Sequence, residues 1–251
     1  MTDGPRSFVD LHCHTSASFD SLSDPVKVAY TAHRRGLTHL AITDHDTIAG
    51  ALRARDEAPD GLTIIVGEEV KTAAGDLICL FLHEAIPPGL SVAETVAAAR
   101  EQGGLVGIPH PFDGYRSSIL KDEGLASIAG LVDWVETHNA RVVFGGGNEK
   151  AAAFAAEHRL PGVAVSDAHT ILEVGVASTH VMGDPSTAAG LLAALRDVEI
   201  TPGRATYFVR LVTPFAKLVQ RTRGVRRVPG PPAGPPAGPP AGPLAGPGAD
   251  L

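Results

Sequence analysis

Cysteine is nearly missing from this chain: Cys13 and Cys79 are the only two among 251 residues. Two cysteines build no disulfide framework, and neither belongs to a Cys-x-x-Cys metal knuckle. Both fall in expected strands, where a free thiol packs as a small apolar residue, so any metal here must be held by His, Asp and Glu. Aromatic residues are scarce too, at 5%, which leaves Val, Leu, Ile and Ala to fill the core. No apolar run is long enough to span a bilayer, and the charged opening Met1-Thr2-Asp3-Gly4-Pro5-Arg6 does not read as a signal peptide. No membrane partner is expected, and the cytoplasm is the default location. No Gly-x-Gly-x-x-Gly follows a strand, so a dinucleotide site lacks its fingerprint. A formal charge of −7 argues against a broad nucleic-acid-binding surface but not against a phosphate held locally by metal ions.

What the chain does have is histidine in company. Asp10-Leu11-His12-Cys13-His14 follows Phe8-Val9 and precedes a small polar turn, and so reads as the end of a short buried strand. Alternation then puts Asp10, His12 and His14 on one face, with Leu11 and Cys13 on the other. Two imidazoles roughly 6–7 Å apart by strand rise can converge on one divalent cation, and a neighbouring carboxylate can orient one ring by accepting its second N–H. Hydrogen-bonded histidines in an ordinary strand give the same pattern, so the motif needs support from the rest of the chain.

That support comes from where the other polar residues fall. Asp24-Pro25 caps a helix to about Arg35, and Thr38–Ile42 is a short strand delivering Thr43-Asp44-His45-Asp46. Leu62–Val66 is a run of the kind buried on both faces and ends in Gly67-Glu68-Glu69; it could form a hairpin with Leu77–Leu82. Ser91-Val92-Ala93-Glu94 is a capping box, and the strand Leu105–Ile108 exits at Pro109-His110-Pro111. A helix from about Ser118 to Ile128, a strand around Val132–Glu136, a helix from Asn148 to Arg159 and a strand Gly162–Val165 lead to Ser166-Asp167-Ala168-His169. A last strand near Ala177–Met182 precedes a helix to about Arg196. The alternation is that of an α/β protein with a parallel sheet, and about seven β-α steps favour a distorted (β/α)7-type, TIM-like barrel. Gly145-Gly146-Gly147 fits either a phosphate cradle at a helix N-terminus or a plain turn.

His12 and His14, His45, Glu69, His110, and Asp167 with His169 thus sit at the C-terminal ends of five separate strands. In a β/α barrel those ends meet at one face, where active sites lie. Imidazole plus carboxylate suits Mn, Zn or Fe, and so many ligands imply two to three ions rather than one.

Taken together, Asp10–Thr15, Thr43–Asp46, Gly67-Glu68-Glu69, Pro109-His110-Pro111 and Ser166–His169 resemble the PHP family, named for polymerase and histidinol phosphatase. The resemblance covers roughly residues 8 to 180, in the family's order. It implies a distorted barrel with a metal centre at the strand ends and a bacterial, cytoplasmic phosphoesterase of the phosphoric ester hydrolase class (EC 3.1) using a metal-bridged hydroxide. It also implies that His12, His14, Glu69 and Asp167 share one ion, that Glu69 bridges to a second held by His110, and that Asp20, His45 and His169 hold a third. Asp167, His169 and Glu69 then count as catalytic residues as well as ligands. Glu68 falls on the opposite face from Glu69. Asp20 stands where some members have histidine, and His138 or Glu136 is left to complete the second site. Arg116 can reach the mouth and grip phosphate oxygens, or it is an ordinary loop residue. The expected partner is a small phosphorylated or nucleotide substrate, or a short nucleic-acid end. An amidohydrolase-like C–N hydrolase and a non-catalytic metal-binding barrel are the alternatives.

The domain is expected to span 1–228, including a C-terminal helical segment at about 206–223. In that segment Phe208, Val209, Leu211, Val212, Phe215 and Leu218 are expected to cover the side of the barrel. The basic cluster Lys217, Arg221, Arg223, Arg226 and Arg227 reads as a solvated helix end. Residues 229–251, with glycine every fourth residue, cannot bury a core and read as a disordered tail whose partner is unknown.

Overall fold

Each apolar run expected as a strand becomes a strand of one sheet. The computed structural model describes residues 4–114, 122–142 and 146–227. In chain order the elements are β1 (Arg6–Asp10), α1 (Pro25–Arg34), β2 (His39–Ile42), α2 (Ala49–Asp56), β3 (Thr63–Lys71), β4 (Asp76–Leu80), α3 (Val92–Glu101), β5 (Leu105–Ile108) and α4 (Asp122–Ile128). They continue with β6 (Trp134–Asn139), α5 (Gly147–His158), β7 (Gly162–Val165), β8 (Ser178–Met182), α6 (Ala188–Ala194), β9 (Val198–Thr201) and α7 (Tyr207–Thr222). Arg116, Gly145 and the segment 229–251 lie outside the described residues. No described helix is long and apolar enough to cross a membrane.

The strands run in the order β7-β6-β5-β4-β3-β2-β1-β8-β9. β1, β2 and β3 are parallel, as are β5, β6 and β7. β4 is antiparallel to both β3 and β5, so the hairpin reverses the chain once and restores its direction. Six strands therefore point the same way, and their C-terminal ends open on one mouth. The sheet is a nearly closed barrel. At the seam between β7 and β8 the Thr179 hydroxyl accepts from the Ala164 N–H at 2.8 Å and donates to the Ala164 carbonyl at 2.9 Å. A side chain there does what a backbone ladder does elsewhere.

Alternation along the strands sorts the core into two layers. Leu40, Ile42, Ile64 and Val66 pack outward against residues of the helices, including Val28, Ala32 and Ala51. Val9, Leu11, Ala41, Ile65, Ile78, Leu80, Trp134, Val163 and Val165 pack together as the second layer. Burying these branched side chains is the main stabilisation, about 1.5–3 kcal/mol each before chain entropy is counted.

Two details depart from the sequence reading. β9 is an edge strand antiparallel to β8, in a stretch where no strand was expected. α7 presents its apolar residues differently from expectation: Val209 and Ala216 are buried, whereas Val212, Phe215 and Leu218 are 38%, 60% and 61% exposed. The helix turns Val209, Thr213, Ala216 and Gln220 inward, at steps of four, three and four along one face. Polar contacts at Thr213 and Gln220 set that orientation. The side chains of Phe208 and Leu211 lie outside the described set.

Gly107 of β5 pairs with Trp134 of β6, and a Cβ there would lie 2.1 Å from Trp134 Cε2 and 2.3 Å from Nε1. The indole is fully buried and has nowhere to retreat. Gly107→Ala should therefore cost on the order of 1–3 kcal/mol and lower the melting temperature by roughly 2–12 °C. An unchanged melting temperature would show that the barrel is slacker at this point than the geometry says.

Candidate metal centre

Each parallel strand delivers its polar residues to the mouth in a distinct way. β1 ends at Asp10, and the chain runs on so that Cys13 bridges to Ala168 beyond β7. Asp44 fixes the turn after His14 by accepting from the Thr15 N–H at 2.5 Å and the Thr15 hydroxyl at 2.6 Å. His45, after β2, bridges to Glu69 on β3. Within β3, Glu69 has the parity of Ile65 and faces inward, while Glu68 faces the other way and accepts from the Ile86 N–H at 2.8 Å. His110 and Asp167 leave their strands with positive φ, 29° and 50°. Such a backbone disfavours side-chain-bearing residues by about 1–3 kcal/mol, and here it is what turns both side chains into the mouth.

The result is a dense, dry cluster. His12 Nε2 lies 2.9 Å from His14 Nε2, 3.2 Å from Glu69 Oε2 and 3.6 Å from Asp167 Oδ1. His14 Nε2 is 3.3 Å from the same Glu69 oxygen and 3.4 Å from Asp167 Oδ1. A second group joins Asp20 Oδ2 to His169 Nε2 at 3.2 Å and to His45 Nε2 at 3.4 Å. The other Glu69 oxygen, Oε1, faces His110 Nε2 at 3.1 Å. All these side chains are at most 6% exposed. Edges near 3.4 Å are those of a tetrahedron of ligands about 2.1 Å from a central ion. The first group aims two imidazole nitrogens and two carboxylate oxygens at one point. Residues and spacing fit a divalent ion.

The rings are held in register for that task. His12 Nδ1–H donates to Glu136 Oε1 at 2.6 Å, and His169 Nδ1–H donates to the Asp167 carbonyl at 2.9 Å, leaving each Nε2 lone pair directed inward. Glu136 Oε2 also accepts from the His110 N–H at 2.8 Å and from the Asn139 amide at 2.9 Å. The same Asn139 amide donates to Asp167 Oδ2 at 3.1 Å.

Burial and charge oppose each other across the site. Burial resists ionisation of Glu69, but His45 and His12 beside it hold its carboxyl well below the usual range. Asp20 behaves likewise between His169 and His45. Burial lowers His12 and His14, yet the carboxylates win: Glu136, Asp167 and Glu69 raise His12 well above its ordinary value, and Asp167 and Glu69 carry His14 up to about 9. His169 goes the other way, to about 3, through burial and the nearby Arg141 guanidinium. The first group therefore demands positive charge at its centre.

The structure thus brings together all eight expected ligands: His12, His14, Asp20, His45, Glu69, His110, Asp167 and His169. His138 is not among them. A bulge separates Glu136 from His138, and His138 Nε2 donates to the Gly203 carbonyl at 2.7 Å. Asp10 is not the orienting carboxylate either; it accepts from the backbone of Ser166 and Gly175, tying β1 to the chain beyond β7, and Glu136 orients His12. Asp76, at the start of β4 and not among the expected site residues, is buried and its carboxylate lies with His45 and Glu69 in one ligand-spaced group. An acid opening an otherwise apolar strand, Leu77–Leu80, was the available signal.

Comparison with known proteins gives the family. A family model described as PHP domain matches residues 10–138, and one described as PHP-associated matches residues 145–199. An uncharacterized protein of the archaeon Methanocaldococcus jannaschii is 38% identical over 142 residues, covering 52% of this chain and 81% of its own length. A 5'-3' exoribonuclease of Haemophilus influenzae is 31% identical over 121 residues, or 43% of this chain and 44% of that enzyme. Among solved structures, a two-domain protein from Bacteroides vulgatus containing a predicted PHP-like metal-dependent phosphoesterase superposes with a TM-score of 0.66 at 19% identity, over 80% of this chain and 66% of that one.

Metal binding should release protons. With no ion bound, the raised His12 and His14 are protonated at pH 7, and an ion must displace those protons. Zinc titrated calorimetrically in buffers of different ionisation enthalpy should show about one to two protons released per first ion at pH 7, with fewer released as the pH rises past the His14 value of about 9. Release that is absent at pH 7 would mean these rings are neutral or do not bind the ion.

Proposed function

We propose, from the premise that this chain belongs to the PHP domain family, that it is a metal-dependent hydrolase of phosphate esters. The observation that carries the reading is Glu69: one oxygen faces His12, His14 and His45, the other faces His110. A carboxylate so placed could serve two ions at once, and paired ions would supply the charge neutralisation that in-line displacement at phosphorus needs.

His12, His14, Glu69 and Asp167 would hold one ion, Glu69 with His110 a second, and Asp20, His45 and His169 a third. Mn, Zn or Fe suits this nitrogen and oxygen donor set. Bound there, the ions supply Lewis acidity towards a phosphoryl oxygen and make water acidic enough to act as nucleophile at neutral pH. The chain's own residues fix the geometry. Glu136 and the Asp167 carbonyl keep the His12 and His169 lone pairs aimed. Asn139 holds Glu136 and Asp167 in place together. Asp167, His169 and Glu69 line the centre where the phosphate would react. Arg116, outside the described residues, is proposed to grip its non-reacting oxygens.

The substrate class is a small phosphomonoester, a nucleotide or an oligonucleotide end. The likeness to a 5'-3' exoribonuclease over 43% of this chain favours including 5'-phosphorylated oligoribonucleotides in the test. Purified protein should carry about two to three equivalents of first-row metal, by the ligand count. It should turn over at least one member of a panel of phosphomonoesters, phosphodiesters and oligonucleotides, and no amide or lactone. Trace metal, with no activity restored by Mn or Zn, would end the polynuclear reading; turnover confined to amides or lactones would point to C–N or C–O acyl hydrolysis instead.

Within the site, Glu69→Gln should be more damaging than Asp20→Asn, because a bridging carboxylate serves two ions and Asp20 one. The expected loss in turnover is at least about tenfold greater for Glu69→Gln, in line with what altered metal-site residues cost. Near-normal metal content and turnover in Glu69→Gln would remove Glu69 from its bridging role.

A further inference from the structure

α7 lies beyond residue 199, where the second family match ends, yet it reaches the Asp20 corner of the mouth. Gln220 on its inner face is 1% exposed. Its amide nitrogen donates to three backbone carbonyls, of Ser16, Ser18 and Ser21, at 2.8, 2.9 and 2.9 Å. These carbonyls bracket Asp20 on both sides along the chain. One amide group has two protons, so one of them is shared.

The segment they belong to has little regular structure of its own. It is tied by Ser16 N–H to the Ser23 carbonyl, by Ser18 N–H to the Thr15 carbonyl, and by the Ser18 hydroxyl to Asp20 Oδ1 at 2.7 Å. Ser18, Asp20 and Ser21 are nonetheless buried, so their carbonyls need donors from the protein. A buried acceptor left without one costs about 1–3 kcal/mol. Gln220 supplies donors to three at once.

The rest of α7 reinforces the same corner. Arg141 donates to the Thr213 hydroxyl at 2.8 Å and its Nε lies 3.3 Å from Glu173 Oε1; Glu173 in turn accepts from the His169 N–H at 3.1 Å. Lys217 and Arg227 both lie over the Phe19 ring, at 5.2 and 5.8 Å, and that ring is 4.9 Å from His45. Arg227, expected as a solvated cation, is 21% exposed at its side chain and pairs with buried Asp76 at 2.6 Å. Asp20, His45 and His169 thus each have a neighbour fastened to this helix or to the few residues after it.

We infer that Gln220 is a positioning residue for Asp20, and that α7 acts as a clasp setting the ion site made by Asp20, His45 and His169. The inference rests on the proposed role of Asp20 as a ligand. Gln220 touches no ion and no substrate; it acts through the chain that carries Asp20. His12, Glu69 and His110 are placed by β1, β3 and β5 and do not depend on it.

The test uses the full chain with Gln220→Met, which keeps the volume and removes the donors, and Gln220→Ala, which admits water to the carbonyls and serves should the Met variant not fold. Hydrogen exchange at the amides of residues 15–23 should quicken at least tenfold in each folded variant, with β1, β2 and β3 unchanged. One class of bound metal should lose roughly 10–100-fold in affinity, while the others keep theirs. Unchanged exchange over 15–23 would overturn the inference, as would equal weakening of every ion class. If the wild-type chain bound no metal at all, the proposed function would fall, and the exchange result would still decide whether Gln220 fastens this segment.

Discussion

The rest of this structure depends on one concentration of like chemistry: the lone pairs of five imidazoles and three carboxylates directed into one dry mouth. Such a cluster is unfavourable by itself, since each buried carboxylate and each unsatisfied nitrogen loses water. It is tolerable because opposite tendencies are interleaved. The carboxylates of Glu69, Asp167 and Glu136 raise His12, and His12 and His45 lower Glu69. What the cluster lacks is enough positive charge for all its acceptors, and divalent ions supply that.

The barrel makes this concentration possible by direction rather than by packing. Because the β3–β4 hairpin reverses the chain and β5 restores it, six strand ends face one side, and residues within a strand or up to four residues past its end reach the centre. The apolar layers on both faces of the sheet hold these ends rigid. The strained backbone at His110 and Asp167 shows where that rigidity is used. α7 adds a different kind of support. Its inward stripe is partly polar, and it fastens irregular chain at the mouth rather than covering the barrel's side. That leaves Phe215 and Leu218 facing outward.

Much of this was readable from local pattern. The family resemblance singled out Glu69 and put Glu68 on the opposite face, and the apolar runs marked the six parallel strands and the hairpin. The ligand-bearing residues announced themselves by following those runs. What could not be read depended on departures from regular geometry or on distant partners. A bulge at Thr137 sent His138 away and kept Glu136 in the site. Asp10, within two residues of His12, bonds backbone beyond β7 instead of an imidazole. The inner face of α7 was chosen by Gln220 and Thr213 against carbonyls and an arginine far away in sequence, which hydrophobic periodicity does not register. β9, Val198–Thr201, alternates apolar and polar residues over only four positions and is largely exposed, too short a pattern to stand out.

The account stands or falls on ions occupying the groups that share Glu69. Anomalous diffraction from crystals of the protein equilibrated with Mn would locate them directly. The account predicts a peak among His12, His14, Glu69 and Asp167, a second between Glu69 and His110, and a third among Asp20, His45 and His169. Peaks confined to surface carboxylates, with His12 and His14 still hydrogen-bonded to Glu69 and Asp167 as protonated rings, would contradict it.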